Sequence, residues 1–217
     1  MKALVLIDDR WHPAAIPREG LAGLGDFDWI EDGREWSAEK MAAYPVVVLV
    51  KANHISATDT TPWADDAVGA AFENYVKSGR GLLVVHSGGS GYEMIPSMRG
   101  IPAGAFAHHP PQCPVTVEPV AGHPLCECVE AFTETDEHYF MHFDDPSADV
   151  FLRSRSEHGI QPAGWTREIG KGRVCMITPG HNLEVWLNPA FRRLLENALA
   201  WVQPANGAAA TGRTAGS

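Results

Sequence analysis

The stretch Arg80-Gly-Leu-Leu-Val-Val-His86-Ser-Gly-Gly-Ser90-Gly-Tyr92 decides the fold class. Leu82 to Val85 is an apolar run without alternation, the mark of a strand buried on both faces. The run stops at His86-Ser87, and Gly88, Gly89 and Gly91 follow at once. A strand leading into glycines is a tight turn whose backbone something approaches closely. In an open α/β sheet, the carboxyl end of a central strand is where ligands bind. One imidazole and one hydroxyl are therefore displayed where chemistry is expected, unless the turn is simply a polar cap.

On the amino-terminal side the pattern is strand, helix, strand, helix. Ala3 to Ile7 and Phe27 to Ile30 read as strands, with a Pro- and Gly-rich loop between them that allows at most a short helix. Ser37 caps a helix that runs to Tyr44 and ends at Pro45. Val46 to Val50, five β-favouring aliphatics, is a buried strand. Asp65 to Ser78 is an amphipathic helix with Gly79 past its end. Such alternation implies a parallel sheet with right-handed crossovers.

The carboxyl-terminal side differs. Segments 114–120, 131–140, 150–156, 163–169 and 173–178 are short and alternating, as expected of mixed strands added to the parallel core. Asn188 to Val202 reads as a helix with Pro189 in its first turn. From residue 203 the chain is rich in Ala, Gly, Thr and Ser, which predicts a disordered tail after a single domain spanning 1–202.

Composition excludes several classes. Over 217 residues, 45% are hydrophobic and 20% charged, which suits a folded domain with a substantial core. A net charge of −10 with scattered Lys and Arg argues against nucleic acid or an anionic membrane surface as partner. No apolar run approaches the roughly 20 residues that span a bilayer. Cys113, Cys126, Cys128 and Cys175 have no framework spacing, so a reducing cytoplasm is the expected compartment. Cys126-Glu-Cys128 lacks the second pair of a tetrahedral site. An acidic surface suits a monomer and a homodimer equally.

The polar residues of interest lie at strand ends. His86 ends the central strand, Gly180-His181 follows the last one, His108-His109 lies in a Pro-bounded loop, and Asp136-Glu137-His138-Tyr139 joins carboxylates to an imidazole. Imidazoles and carboxylates converging at one sheet edge suit a Zn, Mn or Fe site, or a general acid/base pair. No HxH, HxxxH or HExxH spacing reinforces either reading. His12, His142 and His158 lie in polar segments and read as surface histidines. Ser87, with His181 as base and Asp136 or Glu137 behind it, has the chain order of an α/β-hydrolase triad, but the nucleophile-elbow pattern is incomplete. Trp165 reads as core, and Trp186, near His181, is a candidate stacking platform.

Several ordered pieces now carry a resemblance. They are Gly81-Leu-Leu-Val-Val-His86-Ser87, Phe106 with His109-Pro110, His123-Pro124, Thr135-Asp136-Glu137 with Tyr139, Ala163-Gly-Trp165 through Gly170-Lys-Gly-Arg173, Gly180-His181, and Trp186-Leu-Asn-Pro189-Ala-Phe191. Together they resemble the ThuA-like (trehalose-utilisation) family, a branch of the class I glutamine amidotransferase-like superfamily. The resemblance covers roughly residues 46–201, and the first forty-odd residues match loosely.

It implies a flavodoxin-like, three-layer α/β sandwich with a mostly parallel sheet and extra mixed strands. His86 stands where the related amidotransferases carry their cysteine nucleophile, so glutamine hydrolysis through a thiolate is excluded. The family's link to catabolism of trehalose and related disaccharides, through keto sugars, implies a hydrolase or lyase acting on a (keto)sugar. His86, Glu137, His181 and Asp136 are the expected catalytic residues, with Asp136 an orienter. A divalent metal would be held by His86, His109, Glu137 and His181. Ser87, Tyr139, Trp186 and Asn53 are expected to contact substrate. The doublet His108-His109 and the short Gly-rich segment after Ser87 depart from the family's pattern. The competing expectation is a sugar-binding domain that kept the scaffold without catalysis.

Overall fold

The computed structural model describes residues 2–204, so the tail expected beyond residue 203 lies almost wholly outside the described residues. The main sheet has nine strands in the order β2 (Asp26–Ile30), β1 (Lys2–Leu6), β3 (Val46–Leu49), β4 (Gly81–Val85), β11 (Gly172–Ile177), β10 (Gly159–Ile169), β9 (Asp149–Ser156), β6 (Cys113–Pro119) and β7 (Phe132–Asp136). The strands from β2 to β11 are mutually parallel. From β11 to β7 each neighbour is antiparallel, so the second half of the chain extends the parallel core as its alternating segments predict.

Continuous apolar runs in the parallel strands follow from burial on both faces. Ala3, Val5, Val48, Leu83, Val85 and Ile177 face one side, where α6 (Pro189–Trp201) supplies Phe191, Leu194, Leu195 and Leu199. Leu4, Leu6, Val47, Leu82, Val84 and Met176 face the other, against Phe72 and Val76 of α3 (Asp66–Lys77) and Met41 of α2 (Ala38–Ala42). The result is a three-layer sandwich. Two shorter helices complete the first layer, α1 (Ala15–Gly20) and α5 (Leu183–Leu187), and α4 (Pro96–Gly100) completes the second. The helix starts follow local chemistry: Ser37, Asp65 and Asn188 each accept a hydrogen bond from a backbone N–H of the first turn.

One expected strand, 131–140, is two. β7 ends at Asp136, and β8 (Phe140–Phe143) leaves the main sheet to pair with β5 (Gly104–His108) in a separate two-stranded sheet. The interruption frees Glu137, His138 and Tyr139 from strand alternation at the sheet edge where β4 and β11 end. Among the described residues no helix is long and apolar enough to cross a membrane. All four cysteines are free.

Candidate metal centre

Four loops meet at the carboxyl edge of the parallel strands. Immediately after β4, His86 adopts φ = +47°, a left-handed conformation unusual for a residue with a side chain. Such strain, worth about 1–3 kcal/mol, persists where the surroundings enforce it and concentrates at functional sites. Here the enforcing contact is Gly88, whose α-carbon packs directly on the carbonyl of Leu49 in β3. The turn is thereby pressed onto the sheet.

His86 Nδ1 lies 2.8 Å from the carbonyl oxygen of Thr178. A carbonyl only accepts, so Nδ1 carries the proton and Nε2 is left with its lone pair. The same logic fixes His12. Its Nδ1 is 2.7 Å from Asp9 Oδ1, and Asp9 also accepts from the backbone N–H groups of Ala52, Trp11 and His12. Burial works against ionising Asp9, but His12 and those N–H groups outweigh it and bring its pKa down to about 2. The carboxylate therefore accepts from Nδ1, and His12 Nε2 is bare. Burial lowers the His12 pKa against the pull of Asp9, which favours the neutral imidazole.

His181 is placed through its backbone. Asp136, at the end of β7, accepts from the N–H groups of Gly180 and His181, both at 2.9 Å. The next residue, Glu137, puts Oε2 3.1 Å from His181 Nδ1 and 3.5 Å from His86 Nε2. Neither contact has hydrogen-bonding geometry: His12 Nε2, His86 Nε2 and His181 Nδ1 are all buried without a hydrogen-bond partner. Burial opposes charge on Glu137, yet His181 and His86 hold it well below the usual carboxylate range. Burial also lowers the His181 pKa, and Glu137 more than reverses that.

The donor atoms of His12, His86, Glu137 and His181 all lie within 4.8 Å of one another. That is close to the span of ligands each about 2.0–2.2 Å from a common ion. The bare lone pairs of His12 Nε2 and His86 Nε2 beside the Glu137 carboxylate repel one another unless a cation lies between them. Two of the imidazoles have their far nitrogen anchored to an acceptor, the outer arrangement that orients metal-binding histidines. The residues fit a divalent ion.

Sequence reasoning and structure differ here at identifiable places. The structure brings together His86, Glu137, His181 and Asp136 as expected at one edge. His12, read as a surface histidine, is 9% exposed and completes the group in place of His109. His109 stands beside it, with Nε2 3.4 Å from the other Glu137 oxygen, and Nδ1 held 2.8 Å from the carbonyl of Pro110. The signal for His12 was Asp9, three residues earlier at the carboxyl end of β1, the same edge that displays His86 and His181. His142 and His158 are exposed, as read.

Three substrate assignments are corrected. Ser87 is fully buried and donates its hydroxyl to the carbonyl of Val50 at 2.7 Å. Ser87→Ala is expected to cost about 1–3 kcal/mol in urea unfolding by stranding that carbonyl, with metal binding intact. Labelling of Ser87 by a serine-directed probe would contradict this placement. Asn53 uses its amide to join Ala64 to Gly91. Trp186 is wholly buried, its indole N–H on the carbonyl of Gly180. Tyr139 stacks on His86, with ring centroids 4.1 Å apart, and lines a cavity of about 250 Å³ above the cluster. Trp11 and Phe106 share its walls, and His12, Ser90, His109 and Glu137 supply its polar groups.

Comparison with known proteins agrees with this architecture. Among solved structures, the chain is similar to a putative ThuA-like protein from Parabacteroides merdae (TM-score 0.71, 16% identity, 93% of this chain and 89% of that one). A second from Bacteroides uniformis gives 0.70 at 21% identity, covering 93% and 91%. A cytoplasmic protein of Salmonella typhimurium gives 0.68 at 14% identity, covering 94% and 100%. A search of the curated proteins found no match. The model of the ThuA family, described as trehalose utilisation, matches residues 11–202, from the tryptophan beside His12 to the end of the last helix. The chain belongs to that family.

Proposed function

We propose that the protein is a metal-dependent enzyme of carbohydrate metabolism, a hydrolase or lyase acting on a (keto)sugar. The observation that carries this reading is the set of three buried, unpartnered imidazole nitrogens converging with Glu137 beneath a cavity. His12, His86, Glu137 and His181 would hold the ion, and a Zn, Mn or Fe ion there supplies a Lewis acid that polarises a sugar carbonyl or activates water. The protein's own groups do the rest. Asp9 and the carbonyl of Thr178 keep two imidazoles in the tautomers that ligate. Asp136 fixes the backbone that carries His181. Tyr139 and Phe106 keep water from one side of the cavity. His109 is the group that transfers a proton to or from substrate, because its Nε2 reaches the cavity while Nδ1 is spent on Pro110.

Metal content of protein purified without a His-tag tests the reading. Near-stoichiometric Zn, Mn or Fe is expected, with loss in His181→Ala. Asp9→Asn is expected to bind about 10–100-fold more weakly, as removal of an outer carboxylate partner generally does. Folded wild-type protein that neither contains nor takes up any of the three metals would overturn the proposal.

A further inference from the structure

Trp11 stands apart from the other tryptophans. Trp165 and Trp186 are buried and the remaining four are partly covered, whereas Trp11 is 57% exposed. An exposed indole on a loose loop would be unremarkable. This one is fixed: its backbone N–H donates to Asp9 Oδ1 at 3.0 Å, and its ring leans on His54 with centroids 4.9 Å apart. It directly precedes His12 and forms the lip of the cavity over the metal cluster. A large, flat, apolar surface is thus held rigidly in water beside a polar pocket.

The cavity sets what that surface can receive. At about 250 Å³ it falls below the roughly 300–1,000 Å³ of sites that enclose a drug-sized ligand. That is room for one sugar ring over His12, His109 and Glu137, and the second unit of a disaccharide would be left at the mouth. A pyranose has an apolar C–H face, and an indole is apolar across its body. We infer that Trp11 is the platform for the sugar unit outside the cavity, so that the site selects glycosides carrying a second ring over monosaccharides. The inference rests on the carbohydrate reading above and adds to it the subsite and the residue that sets specificity.

Calorimetric titration of wild type, Trp11→Ala and Trp11→Phe with trehalose and with methyl α-glucopyranoside tests it, with metal content measured on each sample. Wild type is expected to bind trehalose more tightly than the methyl glucoside. Trp11→Ala should lose roughly three- to tenfold in trehalose affinity, the range of one aromatic contact, and Trp11→Phe should keep most of it. The methyl glucoside, held inside the cavity, should lose much less than trehalose does in Trp11→Ala. Trehalose should also protect Trp11 from N-bromosuccinimide oxidation, read by mass spectrometry, since the other tryptophans are more covered. Equal trehalose affinity in Trp11→Ala, absence of protection, or no binding of either probe to wild type would overturn the inference. Protection in protein that holds no metal would sustain the platform while removing the metal-dependent reading. Full metal occupancy with unchanged trehalose affinity in Trp11→Ala would do the reverse.

Discussion

Glu137→Gln is expected to lower metal affinity by more than about hundredfold, beyond the 10–100-fold that outer partners contribute. Glu137 is the only anion among the four candidate ligands, and an amide oxygen is a poor substitute for a carboxylate facing a dication. The replacement conserves shape, and the fold should survive, because the carboxylate's contacts are with the site histidines His86, His109 and His181. Competition against a chromophoric chelator measures the affinity. Thermal unfolding gives an independent reading: a ligand at a hundredfold over its Kd stabilises the native state by about 2.7 kcal/mol. That metal-dependent gain should be present in wild type and absent from Glu137→Gln. Equal affinity in the two proteins would show that the carboxylate is not a ligand.

Gly88→Ala should be severely damaging at the site. A β-carbon at residue 88 would lie 2.0 Å from the Leu49 carbonyl oxygen and 2.8 Å from its carbon. Leu49 is backbone of β3, paired to β1 on one side and β4 on the other, so it cannot retreat. The turn must lift instead, taking His86 with it. A cost of about 3–5 kcal/mol is expected, a large part of a domain's total stability. Gly89→Ala is the control. Its β-carbon would meet Met176 Cε at 2.8 Å, the end of a flexible side chain, and should cost about 1 kcal/mol. Urea midpoints of the two variants decide the matter: similar values would mean that the turn is not pressed onto β3.

The sequence carried the local chemistry well. Unbroken apolar runs at Val46–Leu49 and Leu82–Val85 announced buried parallel strands, and Asp65 and Asn188 announced helix starts. His86 was visible because it directly follows a strand and His181 because it lies just past the last one, at the edge of a parallel sheet where loops gather ligands. Glu137 stood out by its neighbours Asp136 and His138. The break at Glu137 was not visible, since Tyr139 and Phe140 beyond it favour a strand again. What ends β7 is the demand of β5 for a partner, a contact between residues more than thirty positions apart.

What the sequence by itself determined is therefore the layered α/β architecture and the residue types displayed at its carboxyl edge. Hydrophobic period and capping are local, and a chain states them directly. Only the tertiary structure decided which polar groups turn inward. His12 lies in a polar loop that looks solvated until Asp9, tied to Ala52 more than forty residues away, draws its ring beneath the cavity. Ser87, Asn53 and Trp186 look available until Val50, Ala64, Gly91 and Gly180 take up their hydrogen bonds. Whether a side chain serves the scaffold or the site depends on which buried backbone groups need a partner, and that is settled by how distant strands and loops pack.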